Sequence, residues 1–198
     1  MNLPNKITTF RMILVIFIST FLLLPSDWFI LIPGINVSLN FFIGLILFVI
    51  ASLSDMIDGK IARKYNMVTD YGKFMDPIAD KLLVNSTLLI LICNGPIRIP
   101  VVCVLLMICR DIIVDAIRLN AVRKNIVVAA NIFGKIKTVL QMVSLIFILI
   151  NDFNLDSIIG LPNYLYIGQI MIYLATCASV ISGIIYLVQN RQVFMENK

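Results

Sequence analysis

Four aspartates, Asp55, Asp58, Asp76 and Asp80, are the residues of this chain whose type and spacing best suit chemistry. They come as two pairs, three and four residues apart, so on helices each pair shares one face and the two faces can meet. In a chain of mean hydropathy +0.99, carboxylates this close are expensive beside a bilayer core unless a cation or substrate compensates them. Hard oxygen donors with little sulfur nearby point to magnesium or manganese. The chain has no histidine, which excludes imidazole triads and imidazole metal ligands and leaves carboxylate, Lys, Tyr or Cys for proton transfer.

The spacing is D-x-x-D-G-x-x-A-R, eight residues, then G-x-x-x-D-x-x-x-D, met by Asp55, Asp58, Gly59, Ala62, Arg63, Gly72, Asp76 and Asp80. This resembles the signature of the CDP-alcohol phosphatidyltransferase family. The stretches PNKITTFRM, MDPIADK, Arg110-Asp111 and GKIKT at 134–138 are similar to the bacterial branch that joins CDP-diacylglycerol to glycerol 3-phosphate and releases CMP. That transfer, part of phospholipid biosynthesis, is the activity the resemblance implies. Relatives that use inositol phosphate, serine or phosphatidylglycerol share the motif, so another acceptor is the alternative.

The resemblance also implies roles. Asp55, Asp58, Asp76 and Asp80 ligate one or two Mg2+ or Mn2+ ions, and Asp80 doubles as the general base on the acceptor hydroxyl. Gly59, Ala62, Arg63, Thr69 and Gly72 contact CDP-diacylglycerol, with Asn5 and Thr8 near the diphosphate or headgroup, and a homodimer is common. The chemistry is coherent, because attack on a phosphorus ringed by negative oxygens calls for cations that neutralise the diphosphate and align the attacking and leaving oxygens. Arg63 suits a bidentate phosphate clamp, or else an arginine snorkelling to the interface. For Asn5 and Thr8 the plain alternative is helix capping before the first span.

Arg110, Arg118, Lys135 and Lys137 flank the fourth and fifth apolar stretches. Arg110 and Lys135 align with basic positions the family uses near its acceptor, and the four read as a pocket for a phosphorylated acceptor. Anchoring to anionic lipid is the competing reading. Asp111 and Asp115 lie between Arg110 and Arg118, where a structural ion-pair network accounts for them. A membrane prenyltransferase also grips diphosphate through aspartate-bound magnesium, but it lacks the Gly59, Ala62-Arg63, Gly72 framework. A cation transporter would place its acids near the bilayer midplane rather than at a helix end.

The elements that position these residues follow from composition. The chain is 60% hydrophobic and 14% charged over 198 residues, too apolar for a soluble domain, whose charged share is about 25%. An all-α integral membrane protein is expected, with one domain over 1–198 and about six transmembrane helices at 7–24, 37–54, 77–95, 99–118, 132–150 and 165–189. With a cytoplasmic amino terminus, 15 of the 16 Lys and Arg residues fall on the inner side and only Arg98 outside. Both termini and the four aspartates are then cytoplasmic, in a multi-pass protein of the cell membrane in contact with its lipids.

The net charge of +5 reflects this topology and not a nucleic-acid partner. Cys93, Cys103, Cys109 and Cys177 have no paired spacing and read as small buried hydrophobes. Trp28, Tyr164 and Tyr166 fit an outer aromatic belt. Pro77 is placed early in the third helix, where its missing N–H matters least.

Overall fold

The computed structural model describes residues 3–64, 69–123, 132–154 and 166–191; the side chains at 3–4, 56, 58–64, 70, 73, 122–123 and 153–154 lie outside that description. Six long helices account for most of it: α1 (Leu3–Leu23), α2 (Leu39–Lys64), α3 (Asp70–Asn94), α4 (Val101–Arg123), α5 (Ile132–Leu149) and α6 (Ile167–Gln189). Each expected apolar stretch falls on one of them. The largest differences are at the motif: α2 continues past 54 to Lys64, and α3 begins at Asp70, ahead of 77. Lys, Arg and Ala within these ends are good helix formers, so a helix can run on past its apolar part, and hydropathy marks the membrane-facing part of each helix and not its end.

Pro77 consequently sits two turns inside α3. It is not in the first turn as the sequence suggests, and it forgoes the backbone bond four residues back.

The fold is that of an all-α membrane protein. Among the described residues, Asn5–Leu23, α5 and α6 are long and apolar enough to cross a membrane by length and composition, and the apolar part of α2 is Leu39–Asp55. Large apolar side chains point outward along the helices, including Ile16, Phe17, Val102, Ile112 and Val188. Such a surface would be an aggregation hazard in water and is the natural one in lipid, where packing and interhelical polar contacts hold helices together.

The helices form two groups of three. α1 lies along α2 and α3, while α6 lies along α5 and α4; the groups meet more sparsely, where α2 contacts α5 and where α3 contacts α4 and α5. One apolar core runs through both groups, with Ile18 and Leu22 of α1, Phe48 of α2, Leu88 and Leu91 of α3, Met107 of α4, Leu145 and Ile148 of α5, and Ile172 of α6. Where α3 stands away from α4 and α5, a cavity opens.

The segment before α2 holds a short strand pair, whose second strand takes Val37 and Ser38, the first two residues of the stretch expected to be helical over 37–54. Leu31–Ile32 pairs antiparallel with Val37–Ser38, and the turn uses Gly34 at φ +100° and Asn36 at φ +51°. Pro33-Gly34-Ile35-Asn36 carries the usual turn residues, glycine and asparagine being those that tolerate positive φ. At the same end of the bundle the α1 carboxyl terminus is tied to α2 by Asn40, whose Nδ2 donates to the Leu24 carbonyl at 3.1 Å. Asp152 is buried and accepts from the Gly168 N–H at 3.1 Å, fixing the start of α6.

Candidate active site

The acidic half of the site is built by α1, α2 and α3. Asp55 lies in α2, and Asp76 and Asp80 lie one turn apart in α3, as the i, i+4 spacing requires. Facing them, α1 presents Asn5, Thr8 and Arg11, three residues apart and all buried. Arg11 is the centre of this half: its Nη1 lies 2.6 Å from Oδ1 of Asp55 and 2.5 Å from Oδ1 of Asp80. The Thr8 hydroxyl donates to Asp76 at 2.7 Å.

Asn5 and Thr8 therefore face α3 across the helix interface rather than capping α1. Thr69 is the N-cap of α3, its Oγ1 accepting from the Gly72 N–H at 3.1 Å while donating to Asn5 Oδ1 at 2.6 Å. A Cβ added at Gly72 would stand 3.3 Å from Thr69 Oγ1 and 3.4 Å from Asn5 Oδ1. Glycine thus keeps a small polar recess open beside Asp76.

The donor set suits a hard divalent cation. One guanidinium nitrogen touches both Asp55 and Asp80, so those two carboxylates are within reach of a shared cation position, with Asp76 one turn away. No three acidic side chains close into a ligand cluster among the described residues. Asp58, Gly59, Ala62 and Arg63 lie on the helical backbone of α2, but their side chains are outside the described residues.

The basic half is built by α4, α5 and α6. A cavity of about 600 Å³ is lined by Asp55, Asp76 and Asp80 on one side and by Arg110, Arg118, Lys135 and Lys137 on the other. All four basic residues singled out in the sequence are thus gathered around the acids. They are not equivalent. Asp111 is buried and holds Lys137 at 2.7 Å and Arg110 at 3.0 Å. Arg110 also donates to Ser182 Oγ at 2.5 Å and passes between two glycines: a Cβ at Gly183 would lie 3.0 Å from its Cγ, and one at Gly134 3.3 Å from Nη2. Lys81 pairs with Asp115.

Two of the cations that line the cavity have no carboxylate partner among the described residues. Lys135 is exposed. Arg118 stacks 5.5 Å above the Tyr186 ring and donates from Nε to Tyr186 Oη at 3.1 Å. The expected ion-pair network around Asp111 and Asp115 is present with altered partners, Lys137 and Lys81 replacing Arg118.

Sequence reasoning missed Arg11, Lys81, Ser182 and Tyr186. Arg11 carried a signal, since a charge within an apolar stretch, in register with Asn5 and Thr8, marks a polar stripe facing something. The other three carried none, because their roles depend on which helices become neighbours. Of the proposed belt, Trp28 is exposed while Tyr166 packs against the core at the start of α6; Tyr164 lies outside the described residues. Cys103 is buried, whereas Cys93, Cys109 and Cys177 are exposed on the lipid-facing helices.

A profile of the CDP-alcohol phosphatidyltransferase family matches residues 1–183. The chain is 37% identical to the CDP-diacylglycerol–glycerol-3-phosphate 3-phosphatidyltransferase of Bacillus subtilis, with 96% of this chain and 95% of that one aligned. It is 36% identical to the protein of the same name from Mycoplasma genitalium, over 83% of this chain and 70% of that one. A third such protein, from Rickettsia bellii, is 34% identical over 98% and 97%. The chain belongs to the CDP-alcohol phosphatidyltransferase family.

Proposed function

We propose that this chain, as a single domain over 1–198, transfers the phosphatidyl group of CDP-diacylglycerol to glycerol 3-phosphate, yielding phosphatidylglycerophosphate and CMP. The observation that carries the reading is the shared cavity, in which three motif aspartates face two cations, Arg118 and Lys135, that no carboxylate neutralises among the described residues. An acceptor with a hydroxyl at one end and a phosphate at the other matches that polarity. The names of the relatives point to the same acceptor.

In this reading Asp55, Asp58, Asp76 and Asp80 hold Mg2+ or Mn2+, which when bound neutralises the diphosphate and the leaving CMP. Asp80 takes the proton of the acceptor hydroxyl as its oxygen bonds to the phosphorus that bears diacylglycerol. The bond from that phosphorus to the CMP oxygen breaks, and CMP leaves with the electron pair. Arg11 keeps Asp55 and Asp80 in register. Thr69, Gly72 and Asn5 border the recess for the CDP half, Gly59, Ala62 and Arg63 bind the same substrate, and Thr8 orients Asp76. Arg118 and Lys135 hold the acceptor phosphate, while Arg110 and Lys137 shape the pocket through Asp111. The inner ends of the helices face the cytoplasm of a multi-pass cell-membrane protein, and two copies form the working unit.

Purified protein in mixed micelles with CDP-diacylglycerol and Mg2+ tests this directly. CMP release is expected with glycerol 3-phosphate and not with serine or inositol. A preference for either of those acceptors would overturn the assignment, and release with none would overturn the transferase reading.

A further inference from the structure

We propose that Tyr186 is a positioning residue that sets Arg118 as the fork for the acceptor phosphate, an inference that rests on the reading of the cavity given above. The two arginines of α4 that line the cavity are both held by α6, through oxygens one turn apart on the same face: Ser182 on Arg110 and Tyr186 on Arg118. Their electrostatic positions differ. Arg110 also meets the Asp111 carboxylate at 3.0 Å, so its charge is already answered. Tyr186 offers Arg118 a neutral phenol and a ring face. The guanidinium is thereby oriented without being neutralised, and its full charge remains for an anion.

The choice of Nε is what makes the arrangement useful. Tyr186 Oη takes the proton on Nε at 3.1 Å, leaving the two terminal nitrogens, the pair that grips phosphate bidentately. The tyrosine is itself held rigidly. Its side chain is 1% exposed and forms, with Val114 and Ile117 of α4, a small apolar cluster separate from the main core. Val114 lies one turn before Arg118 on the same face of α4 and Ile117 is its chain neighbour, so the patch that holds Tyr186 also borders Arg118. An arginine whose side chain is ordered before binding loses less conformational entropy when the ligand arrives.

The test is a double-mutant cycle on the full-length protein, read as the KM for glycerol 3-phosphate, which does not depend on how much of a preparation is active. Tyr186→Phe removes only the hydroxyl and keeps the ring in its cluster. It should raise that KM about fivefold, the scale of one ordinary hydrogen bond, because the hydroxyl orients the guanidinium without touching the ligand, with kcat changed much less. Arg118→Ala should raise it more, and adding Tyr186→Phe to Arg118→Ala should do nothing further.

The proposal is overturned if Tyr186→Phe has the wild-type KM, if its effect persists in the Arg118→Ala background, or if it abolishes turnover, since the last two outcomes make the hydroxyl a support of the fold and not of Arg118. A wild-type KM in Arg118→Ala overturns it as well, by moving the phosphate elsewhere. If the wild type releases no CMP with glycerol 3-phosphate, the proposed function falls and this inference with it.

Discussion

The guanidinium of Arg11 meets the carboxylate of Asp80 at 2.5 Å while its own side chain is wholly buried. The same nitrogen reaches Asp55 on a different helix, so one residue of α1 clasps the two halves of the motif. A buried cation is retained only where carboxylates answer it, and here those carboxylates are the reactive ones.

Arg11→Lys is the sharper variant of this clasp. Lysine keeps the charge but offers a compact ammonium in place of a planar fork, so it can follow one carboxylate and not both. CMP release should fall by about tenfold or more in Arg11→Lys and further in Arg11→Ala, each with a lowered unfolding temperature. Wild-type rates in Arg11→Ala would remove Arg11 from the site.

Asp80→Asn preserves volume and should remove at least about 10²-fold of activity, the scale of a general base, with the protein still inserted and monodisperse in detergent. Asp55→Asn should differ in kind. It weakens cation binding, so raising Mg2+ should restore part of its rate, whereas Asp80→Asn should stay inactive at any Mg2+ concentration. If a chelator left the wild type unaffected, the metal assignment would be wrong for all four aspartates.

Much of this arrangement was legible in the chain. Asp55, Asp76 and Asp80 declared themselves by spacing, and each of the six helices by an apolar stretch. Asn5 and Thr8 could be placed near the site only through the family resemblance, because a polar residue near a helix start reads equally well as a cap. The division of labour among the four basic residues was not legible at all. Arg110 and Arg118 look alike in sequence, and they differ because Asp111 turns toward Arg110 and Lys137 while Tyr186, far along the chain, comes to lie under Arg118. Contacts between residues some seventy positions apart depend on helix packing, which local pattern does not encode.

Orientation is open to a labelling experiment. In a background without the four native cysteines, a cysteine replacing Ser26, in the exposed turn after α1, should react with an impermeant thiol reagent on intact cells. One replacing Arg191, exposed just beyond α6, should react only after permeabilisation. The reverse pattern would put the carboxylates on the side away from cytosolic nucleotides and phosphorylated metabolites.

Charge accounting inside the cavity separates Arg110 from Arg118. Removing Arg118 takes away a cation that no carboxylate neutralises among the described residues, and Arg118→Ala and Lys135→Ala should each raise the glycerol 3-phosphate requirement about tenfold or more, as losing a charged hydrogen bond of ~1.5–3 kcal/mol implies. Arg110→Ala removes a partner of Asp111 that is packed between Gly134 and Gly183, so the damage should appear as a lower unfolding temperature and a lower kcat. Asp111→Asn extends the argument. It leaves Lys137, which is 5% exposed, without its carboxylate, and breaking a buried pair from one side costs about 3–5 kcal/mol. That variant should be the least stable of the four by thermal unfolding in detergent. Were Asp111→Asn as stable as the wild type while Arg110→Ala selectively weakened acceptor binding, Arg110 and not Arg118 would be the phosphate ligand.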